Sequence, residues 1–188
     1  MKPSKELSEA MEAALQEIAH FKRTDSMFGH REGSELLAQW PTSPGKILFL
    51  DIDGVLNSEE SRERVGTGSV FAESCIAALN HILMDLDVLM VITSTWRESW
   101  SLAEIARFLA NAGTTPTRVV GKTSYLSGQL RGAEIEDWLQ KAPFQINTFA
   151  ILDDRDDMGR HSNRLVQTDF KVGLTMDDAK RARLLLQG

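Results

Sequence analysis

The segment KILFLDIDGVLNS, residues 46–58, decides how the rest of the chain is interpreted. Its first part, KILFLD, is a nearly continuous apolar run, which is typical of a strand buried on both faces of a parallel sheet. The run ends in Asp51 and Asp53, two carboxylates separated by one residue, and Gly54 follows them. Like charges at this distance repel each other, so such a pair indicates a compensating function.

Strand-like and helix-like segments alternate after residue 45. The apolar runs predict strands at 46–51, 87–94, 118–121, 146–154 and 163–169. Helical spacing predicts helices at 72–85, 101–113, 132–142 and 175–187. Two of these helices begin with capping boxes, formed by Ser101 with Glu104 and by Thr175 with Asp178. The alternation predicts an α/β fold with a doubly wound, mainly parallel sheet and helices on both faces.

The residues before this alternating region have a different character. Apolar residues at helical spacing predict a helix over 5–22, and the stretch that follows collects Gly, Ser and Pro. We therefore divide the chain into an N-terminal helical extension, residues 1–44, and a main domain, residues 45–188. The extension is expected to pack on the domain or to mediate contacts.

Composition limits the classes of protein to which the chain can belong. The 188 residues carry a formal net charge of −6 and are 42% hydrophobic, which is typical of a globular protein. The negative charge argues against nonspecific nucleic-acid binding by the overall field, although it permits a local basic site. No apolar run approaches the ~20 residues that span a bilayer, and residues 1–16 do not resemble a signal peptide. A single cysteine, Cys75, excludes an internal disulfide, so we expect a cytoplasmic protein without membrane contact.

Polar residues follow each predicted strand at its carboxyl end, where doubly wound sheets bind their ligands. Asp51 and Asp53 end the first strand, and Asp153 and Asp154 end the fourth. Hydroxyl groups end the second strand, and Arg131 opens the helix after the third. Carboxylates with few other ligands suit Mg²⁺, and a hydroxyl with a guanidinium suits phosphate oxygens. The charge of such an ion would offset the repulsion among Asp51, Asp53 and Asp153.

Four motifs in this order resemble motifs one to four of the haloacid dehalogenase (HAD) superfamily of phosphohydrolases. They are DIDGV, VITSTWR, a basic residue at a later helix start, and AILDD, within residues 46 to about 170. The resemblance implies a HAD-like Rossmannoid sheet. It also implies a Mg²⁺-dependent phosphatase that hydrolyses phosphate monoesters through an aspartyl-phosphate.

The resemblance also assigns roles to individual residues. Asp51 becomes the nucleophile, and Asp53 the general acid for the leaving group and then the base for water. Gly54 leaves room for the chain to turn away. The carboxylates of Asp51 and Asp153 and the carbonyl of Asp53 hold Mg²⁺, with Asp154 beside them.

Several side chains are expected to contact the phosphate. Ser94 holds the transferring phosphoryl group, or Thr93 does if the register slips by one. The third motif of the family is usually lysine, and arginine is not its equivalent. Arg131 is the favoured candidate for that role and Lys122 is the competitor. Arg97 contacts either phosphate or a structural ion pair. The expected substrate-binding set is Gly54, Thr93, Thr95, Arg97 and Lys122.

The variants STWR, RGAEIEDWL and LDDRDDM narrow the likeness. They resemble the phosphatase domains of nucleic-acid repair proteins and, more loosely, those of polynucleotide kinase–phosphatases. Residues 54–93 and 95–130 are too short to hold a cap domain of ~50 residues. An open site of this kind suits a nucleic-acid 3′-phosphate end, which is our substrate hypothesis.

Other interpretations stay open. The chain could be a phosphatase of small metabolites or nucleotides, or a non-catalytic HAD-fold interaction module. A phosphotransferase or nuclease could use the same carboxylates without a covalent intermediate. Trp96 and Trp100 are expected to pack rather than to stack on a base, and the oligomeric state is not predicted.

Overall fold

A computed structural model describes residues 45–59, 61, 71–115 and 118–188. The predictions made for residues 1–44, including the helix at 5–22, lie outside this part of the chain, and the domain division stays a prediction. The described strands are β1 (Gly45–Leu50), β2 (Val88–Ile92), β3 (Arg118–Lys122), β4 (Ile146–Asp153) and β5 (Leu165–Gln167). The described helices are α1 (Glu73–Leu83), α2 (Trp96–Ser99), α3 (Leu102–Asn111), α4 (Arg131–Lys141), a 3₁₀ helix (Gly159–Arg164) and α5 (Met176–Gln187).

The five strands form one sheet in the order β3-β2-β1-β4-β5, and every neighbouring pair is parallel. Alternate side chains along β1 enter two separate cores. Leu48 and Leu50 pack with α1, α3 and α5, whereas Ile47 and Phe49 pack with α4. Burial of each large apolar side chain stabilises the fold by about 1.5–3 kcal/mol. The predicted doubly wound α/β architecture is confirmed.

The register brings the ends of the three central strands level with one another. Leu50 lies opposite Ile92 of β2 and Leu152 of β4. Ladder bonds continue one step further, because the Asp51 N–H donates to the Leu152 carbonyl at 3.0 Å and the Thr93 N–H donates to the Leu50 carbonyl at 2.9 Å. Residues 51, 93 and 153 therefore lie along the same edge of the sheet.

Two predicted strands are longer than the strands observed by at least three residues. The strand expected at 163–169 covers only Leu165–Gln167, because the residues before it form the 3₁₀ helix. The strand expected to reach residue 94 ends at Ile92, and the chain turns into the short helix α2. Both predicted capping boxes are present, at the starts of α3 and α5. Within the described residues, no helix is long and apolar enough to cross a membrane.

Candidate active site at the carboxyl ends of the strands

Arg131 lies between two of the acids that the sequence analysis singled out. Its Nη1 is 3.4 Å from Oδ1 of Asp51 and 3.2 Å from Oδ2 of Asp153. The same nitrogen donates a 2.6 Å hydrogen bond to the carbonyl of Thr93. All four residues are buried. The sheet register and the start of α4 thus place one guanidinium against two carboxylates at the centre of the site.

Three carboxylates form a compact cluster. Asp51, Asp153 and Asp154 each offer an oxygen within 4.8 Å of the others. Burial raises the pKa of Asp153 to about 8, and the charge of Asp51 adds to the rise. Burial also raises the pKa of Asp51 and of Asp154.

The cluster lacks positive charge. Burial disfavours the charged form of Arg131, yet the carboxylates of Asp51 and Asp153 outweigh it and raise the pKa of Arg131. One guanidinium therefore stays charged and faces Asp51, Asp153 and Asp154. Oδ2 of Asp153 is buried and, among the described residues, makes no hydrogen bond beyond its ion-pair contact. Buried carboxyl oxygens whose ionised forms repel one another, one of them without a described hydrogen bond, fit a hard divalent cation.

A buried glutamate supports Arg131 from behind. Glu134 lies one helical turn after Arg131, and its Oε2 is 3.9 Å from the Arg131 Nε. The same oxygen accepts a 2.7 Å hydrogen bond from Arg97, and Oε1 accepts the Leu126 N–H at 3.1 Å. Arg97 also donates to the carbonyl of Thr93. This buried setting favours the ion-pair alternative for Arg97 over the substrate contact expected from the sequence.

A close backbone approach holds the first turn of α4. The N–H groups of Arg131 and Gly132 donate to Asp157, at 3.3 Å to its side chain and 3.1 Å to its carbonyl. A Cβ atom on Gly132 would lie 2.1 Å from the carbonyl oxygen of Met158. Only glycine lets the helix begin this close to the loop after β4, and this contact sets the position of the Arg131 backbone.

Asp53 lies in a different environment from Asp51. The carboxylate of Asp53 is half-buried, and each oxygen accepts a hydrogen bond from a neutral N–H group. Oδ1 accepts from the Asn57 side chain at 2.9 Å, and Oδ2 accepts from the Trp96 indole at 3.1 Å. The indole is held by Phe71, stacked at 5.7 Å, and by the edge of Phe108 at 6.3 Å.

Gly54 lies at the turn by which the chain leaves Asp51 and Asp53 and enters the following loop. Its φ is +80°, in the left-handed region that favours glycine. A Cβ here would lie 2.8 Å from the Phe170 ring and 2.9 Å from the Asp154 side chain. The Gly54 carbonyl accepts a 2.8 Å hydrogen bond from the Thr168 hydroxyl, which ties this turn to the end of β5.

The predicted hydroxyl groups lie beside the cluster. Ser94 is wholly buried. Burial is the main influence on the pKa of Asp51, and a hydrogen bond from Ser94 acts against that rise. The Thr93 side-chain oxygen is buried without a hydrogen-bond partner among the described residues. Thr95 is half-buried and precedes α2 without a side-chain cap bond.

Lys122, the competitor for the third-motif role, has its described hydrogen bond with the backbone of α2. Lys122 is exposed, and its Nζ donates a 2.8 Å hydrogen bond to the Arg97 carbonyl. Of the two candidates for the third-motif role, Arg131 is the one in contact with Asp51. The geometry therefore favours Arg131.

Three residues of the site were not predicted from the sequence: Asn57, Trp96 and Glu134. Asn57 follows Asp53 by four residues and Glu134 follows Arg131 by three, a spacing that could have suggested contact. Trp96 carried no such signal, because a tryptophan beside a strand end is more often a packing residue.

One family of domains matches most of the described region. The family described as “HAD domain in Swiss Army Knife RNA repair proteins” matches residues 47–179. The match includes the acids, Ser94, Arg131 and Glu134. No curated protein and no solved structure matches the chain.

Proposed function

Because this chain belongs to the family of HAD domains in Swiss Army Knife RNA repair proteins, we propose that it hydrolyses phosphate monoesters through an aspartyl-phosphate on Asp51. A HAD domain implies phosphatase-type chemistry. The observation that carries the proposal is the buried Asp51 carboxylate, with Arg131 against it and Asp153 and Asp154 beside it.

We propose Mg²⁺ as the cofactor. The carboxylates of Asp51, Asp153 and Asp154 would hold it with the backbone carbonyl of Asp53. The buried Asp153 Oδ2 without a hydrogen bond and the raised pKa of all three acids support a cation here. When bound, the ion supplies charge neutralisation for the acids and the phosphate.

In the first step, an oxygen of Asp51 attacks phosphorus, and the bond from phosphorus to the leaving-group oxygen breaks. Asp53, protonated, gives its proton to that oxygen as it leaves. The products are the free alcohol, the aspartyl-phosphate and the carboxylate form of Asp53. Two neutral N–H donors, from Asn57 and Trp96, hold the Asp53 carboxyl group in place, and this supports the role.

In the second step, water replaces the alcohol. The Asp53 carboxylate takes a proton from water, whose oxygen attacks phosphorus, and the bond from phosphorus to Asp51 breaks. Inorganic phosphate leaves, Asp51 is again a carboxylate and Asp53 is again protonated. Arg131 and the Ser94 hydroxyl are proposed to hold the phosphoryl oxygens in both steps, with Thr93 and Thr95 nearby.

We propose a nucleic-acid 3′-phosphate end as the substrate. The family description names RNA repair proteins. The segments at 54–93 and 95–130 include α1, β2, α3 and β3, and neither leaves room for a cap domain of ~50 residues. A terminal phosphate on a long chain could then approach the acids from the edge of the sheet.

The test compares phosphate release by the full chain from matched substrates: 3′-phosphorylated RNA and DNA oligonucleotides, a 3′-mononucleotide, a sugar phosphate and a phosphopeptide. Each is measured with Mg²⁺ and with EDTA. We expect the highest kcat/KM on an oligonucleotide and no turnover with EDTA. Beryllofluoride should form an adduct on Asp51.

The variant Asp51→Asn tests the covalent route, and Asp156→Asn is its matched control, because Asp156 is an exposed acid in the loop after β4. Equal activity of Asp51→Asn and the unmodified chain would refute the phosphatase. A preference for the sugar phosphate or mononucleotide would favour the small-metabolite alternative. Cleavage inside an oligonucleotide that has no 3′-phosphate would favour a nuclease.

A further inference from the structure

Asp53 and its two donors lie where the proposed proton transfer takes place. One donor is the Trp96 indole, 3.1 Å from Oδ2, and the other is the Asn57 amide, 2.9 Å from Oδ1. Each carboxyl oxygen of Asp53 thus has a donor of its own. A carboxylate has about four lone-pair sites, so two donors can fix its plane without using all of them.

The tryptophan is a rigid donor. Trp96 is 2% exposed, and the rings of Phe71 and Phe108 contact it on two sides. Its backbone N–H lies 3.4 Å from the Ser94 hydroxyl oxygen, so Trp96 contacts both Ser94 and Asp53. An indole N–H only donates, and a packed ring cannot turn away. The contact therefore allows few orientations of the Asp53 carboxyl group.

We infer that Trp96 is a positioning residue for the general acid and base, with Asn57 as its partner. This inference rests on the proposed function, because it assigns Asp53 the proton transfer. Without the indole N–H, the Asp53 side chain spends more of its time in other rotamers. A misplacement of about 1 Å in a catalytic group can cost roughly 10²-fold in rate.

The leaving group separates this role from a structural one. The leaving group of an alkyl phosphate is a basic alkoxide, which must be protonated as it departs. The leaving group of 4-nitrophenyl phosphate is a nitrophenolate, which departs readily without a proton. The ratio kcat/KM covers the steps up to release of the leaving group, so it isolates proton donation from hydrolysis of the aspartyl-phosphate. A loss of positioning should lower kcat/KM for the alkyl phosphate alone.

The experiment uses Trp96→Phe, which keeps an aromatic ring and removes the N–H group. Trp100→Phe is its matched control, because the Trp100 ring also packs edge-on against Phe108, at 5.3 Å, and has no described hydrogen bond to Asp53. We expect Trp96→Phe to lower kcat/KM for an alkyl phosphate by about 10- to 100-fold and for 4-nitrophenyl phosphate by less than about threefold. Trp100→Phe should change neither by more than about threefold.

Asn57→Ala gives a second measurement if Trp96→Phe does not fold, and the same selective loss is expected. Equal losses on both substrates, or no loss on either, overturn the positioning role and leave the phosphatase intact. Retained activity in Asp51→Asn, or an unmodified chain inactive on both substrates, overturns the proposed function and this inference with it. The two failures are therefore distinguishable.

Discussion

The Asp51 side and the Asp53 side of the site contain the same residue type two positions apart and surround it in opposite ways. Asp51 is buried against Arg131 and two further acids, so its surroundings are ionic. Asp53 is half-buried, and its two described side-chain hydrogen bonds come from neutral groups, an indole and an amide. The difference teaches that the partners supplied by neighbouring segments, rather than the residue type, could separate the proposed nucleophile from the proposed proton carrier.

The largest effect on activity should come from removing the Asp51 carboxylate. Asp51→Asn replaces the proposed nucleophile with an amide that cannot attack phosphorus. We expect kcat to fall by at least about 10⁴-fold on every substrate, whatever its leaving group. Phosphate release from aryl and alkyl phosphates measures this, and a loss confined to one class would contradict the assignment.

Removing the Asp53 carboxylate should give a selective loss. Asp53→Asn cannot donate or accept the transferred proton, so kcat/KM for alkyl phosphates should fall by about 10²- to 10⁴-fold. With 4-nitrophenyl phosphate, kcat/KM should fall far less, and the aspartyl-phosphate should accumulate because its hydrolysis lacks the base. Rapid-quench detection of labelled protein tests this, and the absence of any accumulated adduct contradicts it.

The stability of the fold around Asp51 and Arg131 should also depend on Glu134. Glu134→Gln leaves Arg97 and Arg131 buried with one fewer negative charge, and breaking a buried ion pair costs about 3 kcal/mol of unfolding free energy. Glu136→Gln is the matched control on the same helix, since the side chains of Glu136 and Arg160 are 24% and 68% exposed against 5% and 3% for Glu134 and Arg97, and it should cost about 1 kcal/mol or less. Urea unfolding measures the free energy of unfolding of both variants. Equal losses would contradict the prediction that the buried ion pairs of Glu134 stabilise the fold more than the pair of Glu136 does.

Metal binding should depend on pH through the buried acids of the cluster, whose pKa values are raised. The pKa of Asp153 lies at about 8 in the folded chain, above its ordinary value of 3.8, so this acid is mostly protonated at pH 7 without metal. A metal ligand must be ionised, so the apparent affinity for Mg²⁺ should rise as pH increases, by up to about tenfold per unit, and level off above pH 8.

The same pKa has a consequence for the metal-free fold. Because the folded pKa is raised, the contribution of Asp153 to stability is lost as pH rises from about 4 to about 8.

Isothermal titration calorimetry from pH 6 to 9 measures the predicted change in affinity for Mg²⁺, with Asp156→Asn as the control. An affinity that is constant across this range would contradict the prediction.

The smallest effect should come from the exposed lysine. Lys122→Ala removes one hydrogen bond to the Arg97 carbonyl, so unfolding free energy should fall by about 1 kcal/mol. Activity on aryl phosphate should change by less than about threefold, whereas Arg131→Ala should lose at least about 10²-fold. Steady-state kinetics of the two variants decides between them, and a larger loss from Lys122→Ala would reverse the assignment.

The sheet could be predicted because its cause is local. The runs KILFL and VLMVI are apolar at every position or nearly so, and a strand with this pattern must be covered on both faces. The ends of elements were less accurate. Nothing in NRLVQTD separates the last turn of the 3₁₀ helix from β5, and the chain left β2 two residues early to begin α2.

The site could be predicted in part, for a similar reason. Residues that follow a strand directly, such as Asp51 and Asp153, are placed by the sheet register alone. Trp96, Asn57 and Glu134 depend on where a side chain points after a turn. That direction follows from tertiary packing, such as the Phe71 and Phe108 rings around Trp96, and periodicity does not contain it.

The all-parallel sheet has a kinetic consequence. Parallel neighbours need a crossover between them, so no pair of strands can form as a local hairpin. The ion pair between Arg131 and Asp51 joins residues 80 positions apart, and the loop after β4 holds the start of the helix that carries Arg131. Contacts of such long range form slowly. During refolding, catalytic activity should therefore return with the last tertiary contacts, well after the helices, so the site itself reports that the whole sheet is complete.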